Sequence, residues 1–141
     1  MADDKNLKNI PDGFDIMAGR ELADGWAMKD KGNTIQGRLV GRFTMGDDRA
    51  FYQVKLDKPC KAITGRGEET VEVVLQPGNL VNVDESKAMD DLRKYCENGG
   101  TYDVWIMYGE KQKLEGGNTF WPIVNGPRVK TVKPPPKFDK F

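Results

Sequence analysis

The chain has 141 residues and a mass of 15.8 kDa, the size of one domain able to bury a core of its own. Lys+Arg and Asp+Glu both number 22, so a uniformly basic nucleic-acid wrapper and an acidic mimic are both excluded at the level of bulk charge. There is no histidine and there are only 2 cysteines, which excludes Ser-His-Asp and Cys-His catalysis, His-ligated zinc and a four-cysteine metal site within the chain.

Sixteen glycines and eight prolines favour short strands and turns over long helices. Cys60 and Cys96 form no CxxC and are expected to be free thiols in a reducing compartment. The opening MADDKNLKNI is charged, and no apolar run is long enough for a membrane span. The expectation is a cytoplasmic protein without cofactor, metal or membrane contact. Charge is uneven along the chain: 1–127 lean acidic, whereas 128–141 are basic and proline-rich.

Residues 1–32 have weak periodicity, broken by the turn signals Asp12-Gly13 and Asp24-Gly25. They read as an irregular arm in which Leu22, Trp26 and Met28 can pack on a core edge, with Trp26 the anchor. Residues 34–44 alternate, with Ile35, Gly37, Leu39, Gly41 and Phe43 on one side and Gln36, Arg38, Val40 and Arg42 on the other, as a half-buried strand does. The two glycines mark sharp coiling or close backbone approach. Residues 50–57 alternate again, Tyr52, Val54 and Leu56 against Phe51, Gln53 and Lys55, and this second strand can continue past Pro59 to Ile63. After a hairpin tip at Gly65-Arg66-Gly67 comes a third strand over 70–75, interrupted by Pro77-Gly78 and resumed by Leu80–Val83.

The one helix follows. Asp84 or Ser86 suits the N-cap, and acidic side chains come early and basic ones late. Ala88, Leu92 and Tyr95 or Cys96 make an apolar stripe, and Asn98-Gly99-Gly100 ends it. A fourth strand over 101–108 places Tyr102, Val104, Ile106 and Tyr108 on one face, with Asp103, Trp105 and Met107 on the other. The turn region Gly109 to Asn118 leads to a fifth strand at about 119–124, an edge strand because of Pro122. Residues 127–141 read as a basic, proline-rich tail, extended and mobile from about residue 130 because of Pro134, Pro135 and Pro136.

Three strands, a helix and two strands, with I-x-G-x-L-x-G-x-F in the first strand and GNLVNVDE leading into the helix, resemble the OB-fold over residues 33–126. The chain looks most like a bacterial or phage single-stranded DNA-binding protein of that fold. The resemblance implies an all-β, five-stranded barrel with one helix between strands 3 and 4. It also implies a non-enzymatic role in replication, recombination or repair. Such proteins typically end in an acidic peptide closing on Pro-Phe, whereas this chain ends Phe138-Asp139-Lys140-Phe141, aromatic but basic.

An OB-fold groove binds unpaired bases by stacking them on aromatic rings while Lys and Arg track the phosphates. The alternation nominates Phe51 and Trp105 as outward rings, with Tyr108 at the loop mouth and Trp121 on the last strand. The competing reading for Phe51 is packing under the arm; for Trp105 it is an oligomer contact or the docking site of the arm; for Tyr108 and Trp121 it is core or rim packing, which is slightly favoured over ligand contact. The phosphate set is Arg38 and Arg42 on the first strand, Lys55 and Lys61 along the second, Arg66 at the hairpin tip, and Lys111 and Lys113 in the loop between the last two strands; for each, ordinary solvated charge is the alternative. Phe138 and Phe141 in the tail can recruit a replication or repair protein, or the tail can simply hold DNA by charge. The acidic pairs Asp47-Asp48, Glu68-Glu69 and Asp90-Asp91 have poor geometry for shared acid–base work, and no GxxxxGK[ST] phosphate cradle is present. The expected partner is single-stranded nucleic acid, DNA favoured over RNA. Exposed aromatics and zero net charge also suit a protein-interaction or phage assembly module, and a free strand edge can pair with a second copy.

Overall fold

Alternating side chains over the middle of the chain do form strands. The computed structural model describes residues 22–46, 49–65 and 69–136, to which every structural statement here refers. In chain order the strands are β1 (Gly25–Ala27), β2 (Thr34–Met45), β3 (Arg49–Leu56), β4 (Cys60–Thr64), β5 (Val71–Leu75), β6 (Leu80–Asp84), β7 (Thr101–Met107), β8 (Gln112–Lys113), β9 (Thr119–Phe120) and β10 (Arg128–Lys133). Eight of them form one sheet in the order β10-β7-β2-β3-β6-β1-β4-β5, and β8 with β9 makes a separate two-stranded ribbon.

The chain is therefore all-β, with its helical segment between β6 and β7. It is not the expected closed five-stranded barrel: among the described residues the sheet is larger, and it ends in two edges, β10 and β5. The differences have local causes. Gly78 turns the chain at φ 95°, so β5 and β6 are separate strands, not one interrupted strand. The stretch after Pro59 likewise leaves β3 and pairs with β5 as the hairpin β4–β5. Within the expected irregular arm, Gly25–Ala27 pair with both β6 and β4. The expected fifth strand contributes only Thr119–Phe120 to the ribbon and an isolated bridge, Ile123 to Tyr108. Its place beside β7 is taken by Arg128–Lys133, inside the stretch read as a basic tail that is mobile from about residue 130.

One face of the sheet holds the core. Ile35, Leu39, Tyr52, Val54, Val81, Val83, Val104 and Ile106 pack there against Met89 and Leu92. Those two belong to a 3₁₀ segment, Lys87–Leu92, that runs into a short α-helix, Arg93–Glu97. Met89, not Ala88, fills the stripe; Ala88 is exposed. Ser86 stands at the N-cap in extended conformation without a side-chain capping bond. Asn98 ends the helix by accepting the Gly100 amide on Oδ1 at 2.8 Å.

Two residues bring distant strands into contact. A side chain at Gly37 would collide with the Lys55 carbonyl, so β2 and β3 approach as closely as only glycine allows. Buried Asn33 ties the start of β2 to β4. Its Nδ2 donates to the carbonyls of Met28 (2.7 Å) and Lys61 (2.9 Å), and its Oδ1 accepts the Lys61 amide (3.0 Å).

Candidate nucleic-acid interface

Strand register decides which predicted residues meet. On the face opposite the core, Gln36 of β2 lies across from Trp105 of β7, and Trp105 lies across from Arg128 of β10. One step along, Arg38 lies across from Asp103 on one side and Lys55 on the other, and Asp103 from Lys130. The alternation of β7 is as expected: Tyr102, Val104 and Ile106 are buried, whereas Asp103, Trp105 and Met107 are half-buried on the outer side.

The result is a shallow groove of about 280 Å³ along β7 and β10, lined by Gln36, Asp57, Asp103, Trp105, Arg128 and Lys130. Arg38 donates Nε to Asp103 Oδ1 at 2.9 Å. Lys55 is exposed beside it. On this face Arg38, Lys55, Arg128 and Lys130 outnumber Asp57 and Asp103, so the strip around the Trp105 ring is cationic although the whole chain is neutral. Arg128 and Lys130 went unrecognised in the sequence because they were assigned to the tail. Their i, i+2 spacing beside Val129 is the signal that places both cations on one strand face.

Phe51 does not join this strip. It is 0% exposed, packed edge-on against Trp26 (centroids 5.0 Å apart, planes at 61°) and tilted against Phe43 (5.9 Å). Alternation nominated it as outward, and it does lie on the outer face, but β1 brings Trp26 over that part of β3. Trp26 in turn carries the Arg49 guanidinium 4.3 Å from its ring centroid.

Arg42 is also displaced from its expected face. The register of β2 shifts between Leu39 and Gly41, a bulge that reverses the alternation beyond it. Arg42 consequently pairs with Tyr52 in the ladder and clamps Glu85 with two bonds, Nε to Oε2 at 2.6 Å and Nη2 to Oε1 at 3.0 Å. That bidentate pair holds the Glu85 carboxyl below its usual range and leaves Arg42 committed to structure.

Tyr108 is 2% exposed on the core side and cannot stack on a base in open solvent. Trp121 is half-buried, and Phe120 beside it is 43% exposed. Tyr108, Phe120 and Trp121 line a second, larger cavity of about 720 Å³ between the ribbon and the 3₁₀ segment. Lys111 and Lys113 are exposed on the ribbon side and do not line the Trp105 groove. Lys61 lies on β4, outside that groove, with its ammonium 3.2 Å from Asp30 Oδ2. Arg66, Phe138 and Phe141 lie outside the described residues.

Among the described residues, no group of three or more His, Cys, Asp or Glu could hold a metal ion. Nor is any helix long and apolar enough to cross a membrane. Cys60 and Cys96 are free thiols, each pushed up to about 11 chiefly by burial. Comparison with known proteins finds no matching family model, no matching curated protein and no matching solved structure.

Proposed function

We propose that the protein binds single-stranded nucleic acid, DNA in the first instance, without catalysing a reaction. It does so through the outer face of β2, β7 and β10, in replication, recombination or repair. The observation that carries this reading is the partly exposed Trp105 ring set in a groove beside Arg128 and Lys130 of β10, with Arg38 on β2 and Lys55 on β3 beyond it. A flat ring supplies a sequence-tolerant stacking platform, and the flanking cations meet the phosphates. The order β2, β3, β6, helix, β7, β10 supports an OB-like core, with the hairpin β4–β5 inserted between its second and third strands and β1 added beside the third.

The test is a fluorescence titration of the variant carrying Trp26→Phe and Trp121→Phe, in which Trp105 is the sole emitter. Oligo-dT at low salt should quench it saturably, and added salt should reverse the quenching. Unchanged emission at micromolar protein would overturn the reading.

A second reading, an assembly module, is favoured by edge strand β5, whose Val71 and Val74 are exposed. Sedimentation that shows salt-independent self-association, together with absent oligonucleotide binding, would select it.

A further inference from the structure

The bulge in β2 that turns Arg42 inward also turns Phe43 outward. Strict alternation would put Phe43 on the core side with Ile35; the register shift sets it on the outer face of the sheet, opposite Phe51. There Phe43 is half-buried and is the outermost of three packed rings. Phe51 lies 5.9 Å from it, tilted by 33°, and Trp26 stands edge-on behind Phe51. Gly41 leaves the space beneath the ring. A Cβ at Gly41 would meet the Phe43 ring at 3.3 Å, so the ring leans back along β2 toward Val40 and Arg38. Val40 and Met45, exposed on the same strand, extend the apolar surface on either side of it. A ring fixed from below and behind, with open apolar neighbours, marks a place where something docks.

What lies between the two open rings narrows the occupant. Along the outer side of β2, Trp105 stands beside Gln36, then comes Arg38 with Lys55 across from it, then Val40, then Phe43 over Gly41. Five residues of strand separate Gln36 from Gly41, a length of about 16 Å. Lys55 makes no ion pair among the described residues. Beyond Phe43 the cation is engaged: Arg49 pairs with Asp84 at 2.9 Å and lies over Trp26. Ring, cations and ring on one line match an unpaired strand, which offers flat bases at intervals along a run of phosphates. An apolar protein surface on the same line would enclose Lys55 without a partner, a desolvation cost that a phosphate avoids. We propose that Phe43 is a second stacking platform, and that one strand of DNA runs along the outer side of β2 from Trp105 to Phe43 with its phosphates passing Arg38 and Lys55. The proposal rests on the nucleic-acid reading above and gives that site its length and direction. At about 3.4 Å per stacked nucleotide, the two rings are about five nucleotides apart.

The experiment measures the anisotropy of a labelled thymidine octanucleotide with the full chain at low salt. The unsubstituted chain should bind one octanucleotide. Phe43→Ala should weaken binding about 5- to 150-fold, the loss of one stacked base, and leave the salt dependence unchanged. Phe43→Leu keeps apolar bulk over Gly41 but removes the flat ring. It should weaken binding nearly as much, and it alone carries the test if Phe43→Ala lowers the thermal melt. Phe43→Tyr should bind like the unsubstituted chain. Full affinity in Phe43→Leu, while Trp105→Ala still weakens binding, overturns the second platform and leaves the groove standing. Two octanucleotides bound per chain overturn the single path. Loss of self-association by Phe43→Leu in sedimentation, with octanucleotide binding unchanged, overturns the proposal and gives this face to a second copy of the chain. No binding by the unsubstituted chain overturns the nucleic-acid reading, and this inference with it.

Discussion

Trp105 and Phe51 occupy the same face of one sheet and have opposite fates. Both follow the strand alternation that nominated them, but Trp26 covers Phe51 and leaves Trp105 half-open. Periodicity reads which side of a strand a residue takes. It cannot read whether a side chain from another strand of the sheet, here Trp26 of the three-residue β1, reaches over to cover that residue. The two rings should therefore separate in mutagenesis. Trp105→Ala is expected to lower oligo-dT affinity by about 1–3 kcal/mol, roughly 5- to 150-fold, in anisotropy titrations, with little change in melting temperature. Phe51→Ala is expected to cost about 3–5 kcal/mol of stability in urea unfolding, because it empties a packed site.

At the scale of elements, β7 was legible because its spacing is strict and uninterrupted; the helical segment was legible in place only, since Lys87–Leu92 is 3₁₀ and Met89, not Ala88, carries its apolar face. β2 was legible only as far as its bulge. One residue of register shift turned Arg42 from the outer face to the Glu85 clamp, and nothing in TIQGRLVGRFT besides Gly41 announces it. The clamp joins β2 to the residue after β6, with both side chains only 19% exposed. Because the Glu85 carboxyl is held below its usual range in the fold, its contribution is fully present above the unfolded carboxylate value. That contribution is lost as pH falls through the depressed folded value. Urea midpoints measured downward from pH 6 should therefore fall on the acid side. Glu85→Gln should start lower and show a flatter acid limb, whereas a parallel decline in both proteins would remove the clamp from the account.

Across the whole molecule, the sequence identified an all-β chain with a helix ahead of β7, but not the size of the sheet. The hairpin β4–β5 and the added strands β1 and β10 are long-range pairings that local patterns do not encode. The pairing of β10 matters most for function, since it brings Arg128 and Lys130 beside Trp105 in a chain whose net charge is zero. A local cationic strip on a neutral protein implies a limited salt dependence. If Arg38, Lys55, Arg128 and Lys130 each meet a phosphate, log K against log salt should have a slope of about −3 for single strands. A slope near zero in salt-titrated anisotropy would mean that binding does not use these cations. Amide chemical-shift mapping of the full chain with oligo-dT tests the central claim most directly. The account predicts perturbations concentrated at Gln36, Arg38, Lys55, Trp105, Arg128 and Lys130; perturbations confined to β4 and β5, or none at saturating oligonucleotide, would contradict it.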